Sequence, residues 1–213
     1  MKTGESLGSR LKRGVCCFGL SVVLPCPSVI EMAALAGYDF VRIDWEHALF
    51  GAIELRELLN TARLVGMPCQ VRVPELTMIT PLLGQEPAGI MVPHVESEKE
   101  ARAAVDACRF QPLGRRGMDG NTRRMRCEGM TRRTYMEYQQ ENLDIVVQIE
   151  SIPAMEKIDE ILSLDGITMV ATGRADLSQE LGFPGQKNHP AVLEAEEFII
   201  RKVLEHGKYP IIA

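Results

Sequence analysis

The chain has 213 residues, of which 46% are hydrophobic and 25% charged, as is ordinary for a globular domain with a sizeable core. The formal net charge of −5 and the 5% of aromatic residues argue against a nucleic-acid-binding protein, which needs a basic patch or an aromatic stacking platform. No segment reaches the about 18 consecutive apolar residues of a membrane span, and the polar segment 1–13 lacks the apolar region of a signal peptide.

Short apolar runs alternate along the chain with longer amphipathic stretches. The runs predict strands buried on both faces of a parallel sheet, and they cover residues 15–20, 39–44, 68–73, 89–93, 144–149, 167–172 and 209–213. The amphipathic stretches predict helices over residues 28–36, 52–65, 97–109, 132–141, 152–162 and 191–206. Repeated strand–helix units predict parallel strands with right-handed crossovers. No GxGxxG follows the first strand, so an α/β fold of the TIM (β/α)8-barrel type is favoured over a doubly wound sheet.

We expect a single barrel domain over residues 1–213, because no low-complexity segment or linker interrupts the pattern. Seven strand candidates are present, whereas a closed barrel of this type needs eight. The last strand and helix are therefore expected to be missing, so that the domain is C-terminally incomplete. Open strand edges would favour self-association.

Polar side chains gather where the predicted strands end, and in barrels these ends form the face that carries the active site. Glu150 follows the fifth strand candidate and Asp176 follows the sixth. Two carboxylates at neighbouring strand ends suit Mg²⁺ or Mn²⁺, which prefer oxygen ligands, with Co²⁺ as a further candidate. The alternative is that each acid caps the helix after it.

A second group of polar residues follows the second and third strand candidates. His47 is a candidate general base, and Asp44 is placed to orient it. The guanidinium of Arg72 offers a planar fork for a substrate carboxylate. The alternatives are a structural histidine and an ion pair between Arg72 and a neighbouring acid. No lysine falls at a clear strand end, which favours metal-assisted chemistry over a Schiff base.

The six cysteines and a local basic segment are two further features with a possible function. The six cysteines show no CxxC spacing, and several lie in apolar runs, so we expect free, buried thiols in a cytoplasmic protein. A local basic segment contains Arg115, Arg116, Arg123, Arg124, Arg126, Arg132 and Arg133. A solvated or oligomer-contacting surface is one interpretation of this segment, and recognition of anionic groups is the other.

Four segments carry recognisable motifs: AGYDFVRIDWEH at 36–47, VPHV at 92–95 with the later Arg116-Gly117, VQIES at 147–151, and TGRADLS at 172–178 with the later Leu181-Gly182. Together they resemble the HpcH/HpaI family of class II pyruvate aldolases, and the resemblance extends from about residue 14 to the last residue. Three departures stand out. Arg174 replaces a proline, Cys17 replaces a tryptophan, and the segment 84–87 (GQEP) replaces a turn that brings an acidic residue to a neighbouring subunit.

The resemblance implies a role for each site residue. Glu150 and Asp176 would hold the divalent metal, and pyruvate would bind it through its carboxylate and 2-oxo oxygens. Arg72 would contact the oxo oxygen, and His47, oriented by Asp44, would handle the proton. The pyruvate pocket would be lined by Gln148 and by the backbone of Gly173, Arg174 and Ala175.

The resemblance also implies a reaction and its partners. The expected reaction is the formation or cleavage of a carbon–carbon bond between pyruvate, or a similar 2-oxo acid, and an aldehyde, in a homo-oligomer without nucleic-acid or membrane partners. The alternatives are a CoA-ester lyase of the citrate-lyase β type, enolate chemistry like that of macrophomate synthase, and a non-catalytic barrel subunit. The Asp-x-Glu-His segment at 44–47 argues against the CoA-ester lyase because it favours a small free 2-oxo acid.

Overall fold

The computed structural model describes residues 7–118, 120 and 122–212. Strands and helices alternate along the described chain. The strands are β1 Gly19–Val22, β2 Phe40–Asp44, β3 Cys69–Arg72, β4 Gly89–Val92, β5 Asp144–Ile149, β6 Met169–Thr172 and β7 Tyr209–Ile211. The helices are α1 Leu7–Lys12, α2 Pro27–Leu35, α3 Ala52–Leu64, α4 Ile79–Leu83, α5 Glu98–Cys108, α6 Arg123–Cys127, α7 Arg132–Asn142, α8 Ile152–Glu156, α9 Ile158–Leu162, α10 Arg174–Glu180 and α11 Pro190–Glu205.

The chain divides into two compact units. Unit 1 consists of Met1–Ile90 and Ala107–Asp144, and unit 2 consists of Met91–Asp106 and Ile145–Ala213. The boundaries between the units fall inside β4, inside α5 and after the first residue of β5. Each unit therefore contains its own run of neighbouring strands.

Unit 1 is built on β1, β2 and β3. β2 lies between the other two and pairs with both in parallel, so that Asp44, the last residue of β2, is the register partner of Arg72, the last residue of β3. The side chains of β2 are buried almost continuously instead of alternating, as expected for a strand covered on both faces. α3 packs on β3 and α2 with an apolar face, which consists of Leu55, Leu58, Leu59 and Ala62. This spacing follows the helical period.

Unit 2 is built on β5, β6 and β7, which pair in parallel in this order. Every residue of β5 and β6 is buried. α11 packs on β6 and β7, and its buried face includes Val192, Ala195, Ile199 and Val203. Burying each of the larger apolar side chains contributes about 1.5–3 kcal/mol to folding. This packing holds the end of β6, which leads into α10, in a fixed place.

The predicted alternation of parallel strands and helices is confirmed, but several boundaries differ. β1 begins at Gly19, later than the predicted segment 15–20, because its pairing with β2 begins at the Gly19–Phe40 register position. The predicted helix 152–162 is broken at Lys157, whose backbone leaves the helical region at φ −105° and ψ 15°. Among the described residues, four α-helices were not predicted, namely α1, α4, α6 and α10. The final residue of the predicted strand 209–213 lies outside the described residues.

The prediction of free, buried cysteines is correct in part. All six cysteines are free, but Cys16, Cys26 and Cys127 are exposed. Cys16 is exposed because its apolar run precedes β1 and does not form the strand. Cys69 and Cys108 are buried, and burial raises the pKa of each thiol to about 12. None of the described helices has the length and apolar character that crossing a membrane requires.

Candidate functional site

Arg72 and Asp44 form the centre of a polar cluster at the ends of β2 and β3 in unit 1. Nε of Arg72 donates to Oδ1 of Asp44 at 3.0 Å, and Nη2 donates to Oδ2 at 2.5 Å. The parallel register places the two residues side by side at neighbouring strand ends. We call Asp44, Glu46, His47 and Arg72 the arginine–acid cluster.

Glu46 and His47 follow β2 and both contact the guanidinium of Arg72. Oε2 of Glu46 lies 3.1 Å from Nε of Arg72, and Nδ1 of His47 lies 2.8 Å from Nη2. A guanidinium has donors but no acceptor, so this contact assigns Nδ1 of His47 as the acceptor of the hydrogen bond. Asp44 accepts the backbone N–H of His47 on Oδ1 at 3.3 Å, and its Oδ2 lies 3.5 Å from Nδ1 of the ring, farther than Nη2 of Arg72 does. Arg72, more than Asp44, therefore orients the His47 ring.

The charge balance of the arginine–acid cluster favours an ion pair over a metal site. Burial alone would raise the pKa of Asp44, but the hydrogen bonds and charge of Arg72, with the backbone N–H of His47, outweigh it and lower the pKa. Asp44, Glu46 and His47 have ligand atoms within 4.8 Å of one another, a spacing that a metal ion could use. Arg72 already occupies the cationic position between the two carboxylates. A metal ion bound here would have to displace it.

Glu150 is the centre of a second polar cluster, in unit 2, where it directly follows β5. Its carboxylate is only 2% exposed. Oε1 accepts the backbone N–H of His94 at 2.9 Å and lies 3.0 Å from Nδ1 of the same residue. Oε2 accepts from Nε2 of Gln148 at 2.5 Å. We call His94, Gln148, Glu150 and Asp176 the carboxylate cluster.

Asp176 brings a second carboxylate to Glu150 from the first turn of α10. The pKa of Glu150 is raised. Burial is the largest cause, the N–H and charge of His94 oppose it, and the charge and side-chain contact of Asp176 add to it. Two oxygen-rich acids that repel each other in a partly desolvated position are the donor set that Mg²⁺ or Mn²⁺ prefers. The residues present therefore fit a divalent metal.

Two backbone features hold Glu150 in place. A side chain on Gly173 would overlap the Glu150 carboxylate and approach Nε2 of Gln148 to 3.0 Å, so only glycine fits between β6 and α10. His94 has φ +52°, in the left-handed region that is uncommon for residues other than glycine. Such strain is found mainly at functional sites. The structure places the His94 ring on Glu150, with Nδ1 3.0 Å from Oε1.

Arg174 lies beside Asp176 in sequence but is held by a different acid. Its Nε is 3.4 Å from Oε1 of Glu196, which also accepts from Oγ1 of Thr172 at 2.7 Å. Sequence reasoning missed Glu196, which is only 7% exposed on α11. The sequence signal that could have found Glu196 is its position on the apolar face of α11, at helical spacing between Val192 and Ile199. Ala175, the remaining predicted pocket residue, is exposed at the start of α10.

Parallel strands with polar groups at their carboxyl ends define an α/β protein of the barrel-enzyme class, in which that edge carries the chemistry. The family model of the HpcH/HpaI aldolase/citrate lyase family matches residues 18–212. The chain belongs to this family, and its activity is that of a carbon–carbon lyase of the aldolase type.

Individual relatives agree with this assignment. The chain is 33% identical over 201 residues to 2-keto-3-deoxy-L-rhamnonate aldolase of Escherichia coli K12, covering 93% of this chain and 75% of that protein. Among solved structures it is similar to an HpcH/HpaI aldolase from Desulfitobacterium hafniense DCB-2, with 30% identity and a TM-score of 0.89 over 97% of this chain and 81% of that one. It is also similar to the citrate synthase SbnG, with 31% identity and a TM-score of 0.87 over the same shares of the two chains. A citrate lyase β subunit from Mycobacterium tuberculosis matches at only 17% identity, which shows the fold alone.

Proposed function

We propose that this protein is a divalent-metal-dependent aldolase that forms or cleaves a carbon–carbon bond between a small 2-oxo acid, such as pyruvate, and an aldehyde. The observation that carries the proposal is the contact of the buried Glu150 with Asp176, whose negative charge raises the pKa of Glu150 because the two carboxylates repel each other. A divalent cation removes this repulsion, whereas a purely structural pair of acids gains nothing from it. The family membership of the chain supports the same assignment.

In unit 2, Glu150 and Asp176 would hold Mg²⁺ or Mn²⁺. When bound, such an ion supplies a Lewis acid that balances negative charge developing on the 2-oxo oxygen. Gln148 holds Oε2 of Glu150 and the His94 backbone holds Oε1, so the carboxylate keeps one orientation. This preorganisation resembles the outer-shell support that metal ligands receive in other proteins. Gly173 gives the carboxylate the room that it needs.

In unit 1, Arg72 and His47 are assigned to the substrate by the resemblance of the 36–47 segment to the family motif. Arg72 would donate hydrogen bonds to the substrate oxygen and neutralise charge that develops there. His47 would move a proton at the methyl carbon of pyruvate. For this it must present a free ring nitrogen, and Arg72 occupies Nδ1 in the structure. We therefore propose that Arg72 turns from His47 to the substrate when the 2-oxo acid binds.

The relatives narrow the class of the aldol substrate. The curated relative is named for 2-keto-3-deoxy-L-rhamnonate, a 2-oxo acid with a sugar-derived chain. We propose a 2-oxo-3-deoxy acid of this kind as the aldol substrate of this protein, with pyruvate as the product on the acid side. The cytoplasmic location and the homo-oligomeric state remain predictions.

The proposal is tested by exchange of the pyruvate methyl protons in D₂O, followed by proton NMR without any aldehyde. Protein treated with a chelator should exchange slowly, and added Mg²⁺ or Mn²⁺ should restore the rate. Direct binding of Mn²⁺ is measured by electron paramagnetic resonance. Glu150→Gln and Asp176→Asn should each lose most of the Mn²⁺ affinity while the circular dichroism spectrum stays that of the parent.

Glu160→Gln is the matched control, because Glu160 is an exposed acid on α9 in the same unit. It should bind Mn²⁺ and exchange pyruvate protons like the parent. Unchanged exchange after complete chelation, or normal Mn²⁺ binding by Glu150→Gln, would contradict the metal assignment. Exchange that needs the metal but no turnover of 2-oxo-3-deoxy acids would leave the metal site correct and the substrate class wrong.

A further inference from the structure

Unit 1 contains a cavity of about 760 Å³ that the proposed reaction does not use. Its lining comes from α3, from α4 and the turn after it, from residues 116–118, from Thr122 and α6, and from Tyr135 of α7. This volume lies within the range of about 300–1,000 Å³ that is typical of small-molecule sites. Five arginines contribute to the lining, namely Arg56, Arg63, Arg116, Arg123 and Arg126.

Two of these arginines lie on one face of α3. Arg56, Asn60 and Arg63 are four and three residues apart, so the helical period stacks them along the same side. Both terminal nitrogens of Arg63 donate hydrogen bonds. Nη1 donates to Oδ1 of Asn60 at 2.8 Å, and Nη2 donates to the carbonyl oxygen of Gln85 at 2.6 Å. Its guanidinium is thereby held in one orientation.

Arg116 is fixed in a similar way on another wall of the cavity. Nη1 donates to Oε1 of Gln139 at 2.9 Å, and Nη2 donates to the hydroxyl of Tyr135 at 3.1 Å. The guanidinium also lies over the Phe110 ring, 4.5 Å from its centroid, as in a cation–π contact. A cation that is held this firmly gives a site with little ordering cost on binding.

The positive charge of the cavity is only partly balanced. Its described lining residues include no aspartate or glutamate. Glu128 contacts Arg123 at 3.4 Å, but the guanidinium groups of Arg56 and Arg126 make no hydrogen bond or ion pair with any residue that the structure describes. The pKa of Arg63 is lowered, first by burial and then by the charge of Arg123, although the charges of Glu86 and Glu128 oppose the shift.

We propose that this cavity binds a small molecule that carries two or more phosphate groups. Guanidinium forks bind phosphate oxygens in pairs, and several converging arginines match a ligand with several negative charges. The fixed pair Arg63 and Arg116 would bind one phosphate group. The exposed pair Arg56 and Arg126 would close on the next. A singly charged 2-oxo acid would leave most of these cations unused, so the ligand proposed for this cavity differs from the proposed aldol substrate.

The test is isothermal titration calorimetry of the full chain with inorganic phosphate, inorganic pyrophosphate and ADP at physiological ionic strength. We expect saturable micromolar binding of pyrophosphate or ADP and weaker binding of inorganic phosphate. Tighter binding of ADP than of pyrophosphate identifies an organic phosphate ester as the ligand, and equal binding identifies the phosphate groups alone. Since a charge-assisted hydrogen bond is typically worth about tenfold in affinity or more, the double variant Arg56→Gln/Arg126→Gln should bind at least about tenfold more weakly.

The control removes two positive charges elsewhere. Arg102→Gln/Arg133→Gln changes exposed arginines that pair with Glu98 and Glu137 outside the cavity, and it should bind like the parent. An equal loss in both double variants would show a general charge effect and overturn the proposal. Absence of saturable binding up to millimolar ligand would also overturn it. So would a change of oligomeric state in Arg56→Gln/Arg126→Gln by light scattering without a change in affinity, because the cavity would then be an interface between copies.

Discussion

Arg72 and Asp44 form a two-point fork, with Nε on Oδ1 at 3.0 Å and Nη2 on Oδ2 at 2.5 Å. Asp44 is 6% exposed, and burial alone would raise its pKa, but Arg72 and the backbone N–H of His47 together lower the pKa below its usual value. The same Nη2 contacts Nδ1 of His47. One guanidinium thus fixes an acid and the ring of the candidate base.

Replacing Arg72 by lysine should impair proton exchange strongly while leaving the fold intact. An ammonium group is a point charge without the planar fork, so it cannot contact both oxygens of Asp44 and Nδ1 of His47 at once. We expect at least about a tenfold loss in the pyruvate deuteration rate, as for the loss of one charge-assisted hydrogen bond. Arg133→Lys, on an exposed arginine paired with Glu137, is the control. An Arg72→Lys protein as active as this control would show that charge alone suffices.

His47→Ala should reduce proton exchange more than it reduces pyruvate binding. General acid–base catalysis contributes about 10²–10⁴-fold, and the expected loss of rate lies in this range. The side chain of His47 is 63% exposed, so its removal should not unfold unit 1. Deuteration rates and pyruvate dissociation constants are compared with those of His206→Ala, a histidine at the end of α11. Normal exchange by His47→Ala would mean that another group carries the proton.

The sequence predicts the strands better than the contacts between their ends. β5 has the predicted bounds, because an apolar run flanked by polar residues is a local signal. The pairing that starts β1 at Gly19 is not local, since it depends on Phe40 in a distant segment. For the same reason the sequence placed Glu150 and Asp176 at strand ends but could not show that Gln148 and His94 hold Glu150. It also could not show that Arg72 stands between Asp44 and His47.

Gly173→Ala should weaken metal binding although it replaces neither carboxylate ligand. The added methyl group would overlap the Glu150 carboxylate, so this side chain or the start of α10 must move. We expect the Mn²⁺ affinity to fall by at least about tenfold, within the range seen when groups that orient metal ligands are lost. Gly117→Ala is the control, because a side chain there meets nothing within 4 Å. Parent-like Mn²⁺ binding by Gly173→Ala would show that Glu150 does not need its present orientation.

Asp144→Asn should stabilise the protein above neutral pH. Burial raises the pKa of Asp144 to about 7, although the charge of Arg109, a hydrogen bond with Gln70 and the charge of Lys12 oppose the rise. Oδ2 of Asp144 has no hydrogen-bond partner among the described residues. The folded protein therefore retains a proton that the unfolded chain, with a pKa of 3.8, has already released.

The sign of the pH dependence follows from this difference. A raised carboxyl pKa means that the contribution of Asp144 to stability is greatest below pH 3.8, falls as the pH rises to about 7, and is constant above that. At about 1.4 kcal/mol per pKa unit, the loss across this window is on the order of 4 kcal/mol. An amide of the same shape does not ionise, so Asp144→Asn should lose no stability there. Urea unfolding at pH 5 and pH 8 measures the effect, with the exposed Glu141→Gln on α7 as the control. If Asp144→Asn loses as much stability between these pH values as the parent does, the carboxyl group is ionised in the folded protein and this account of Asp144 is wrong.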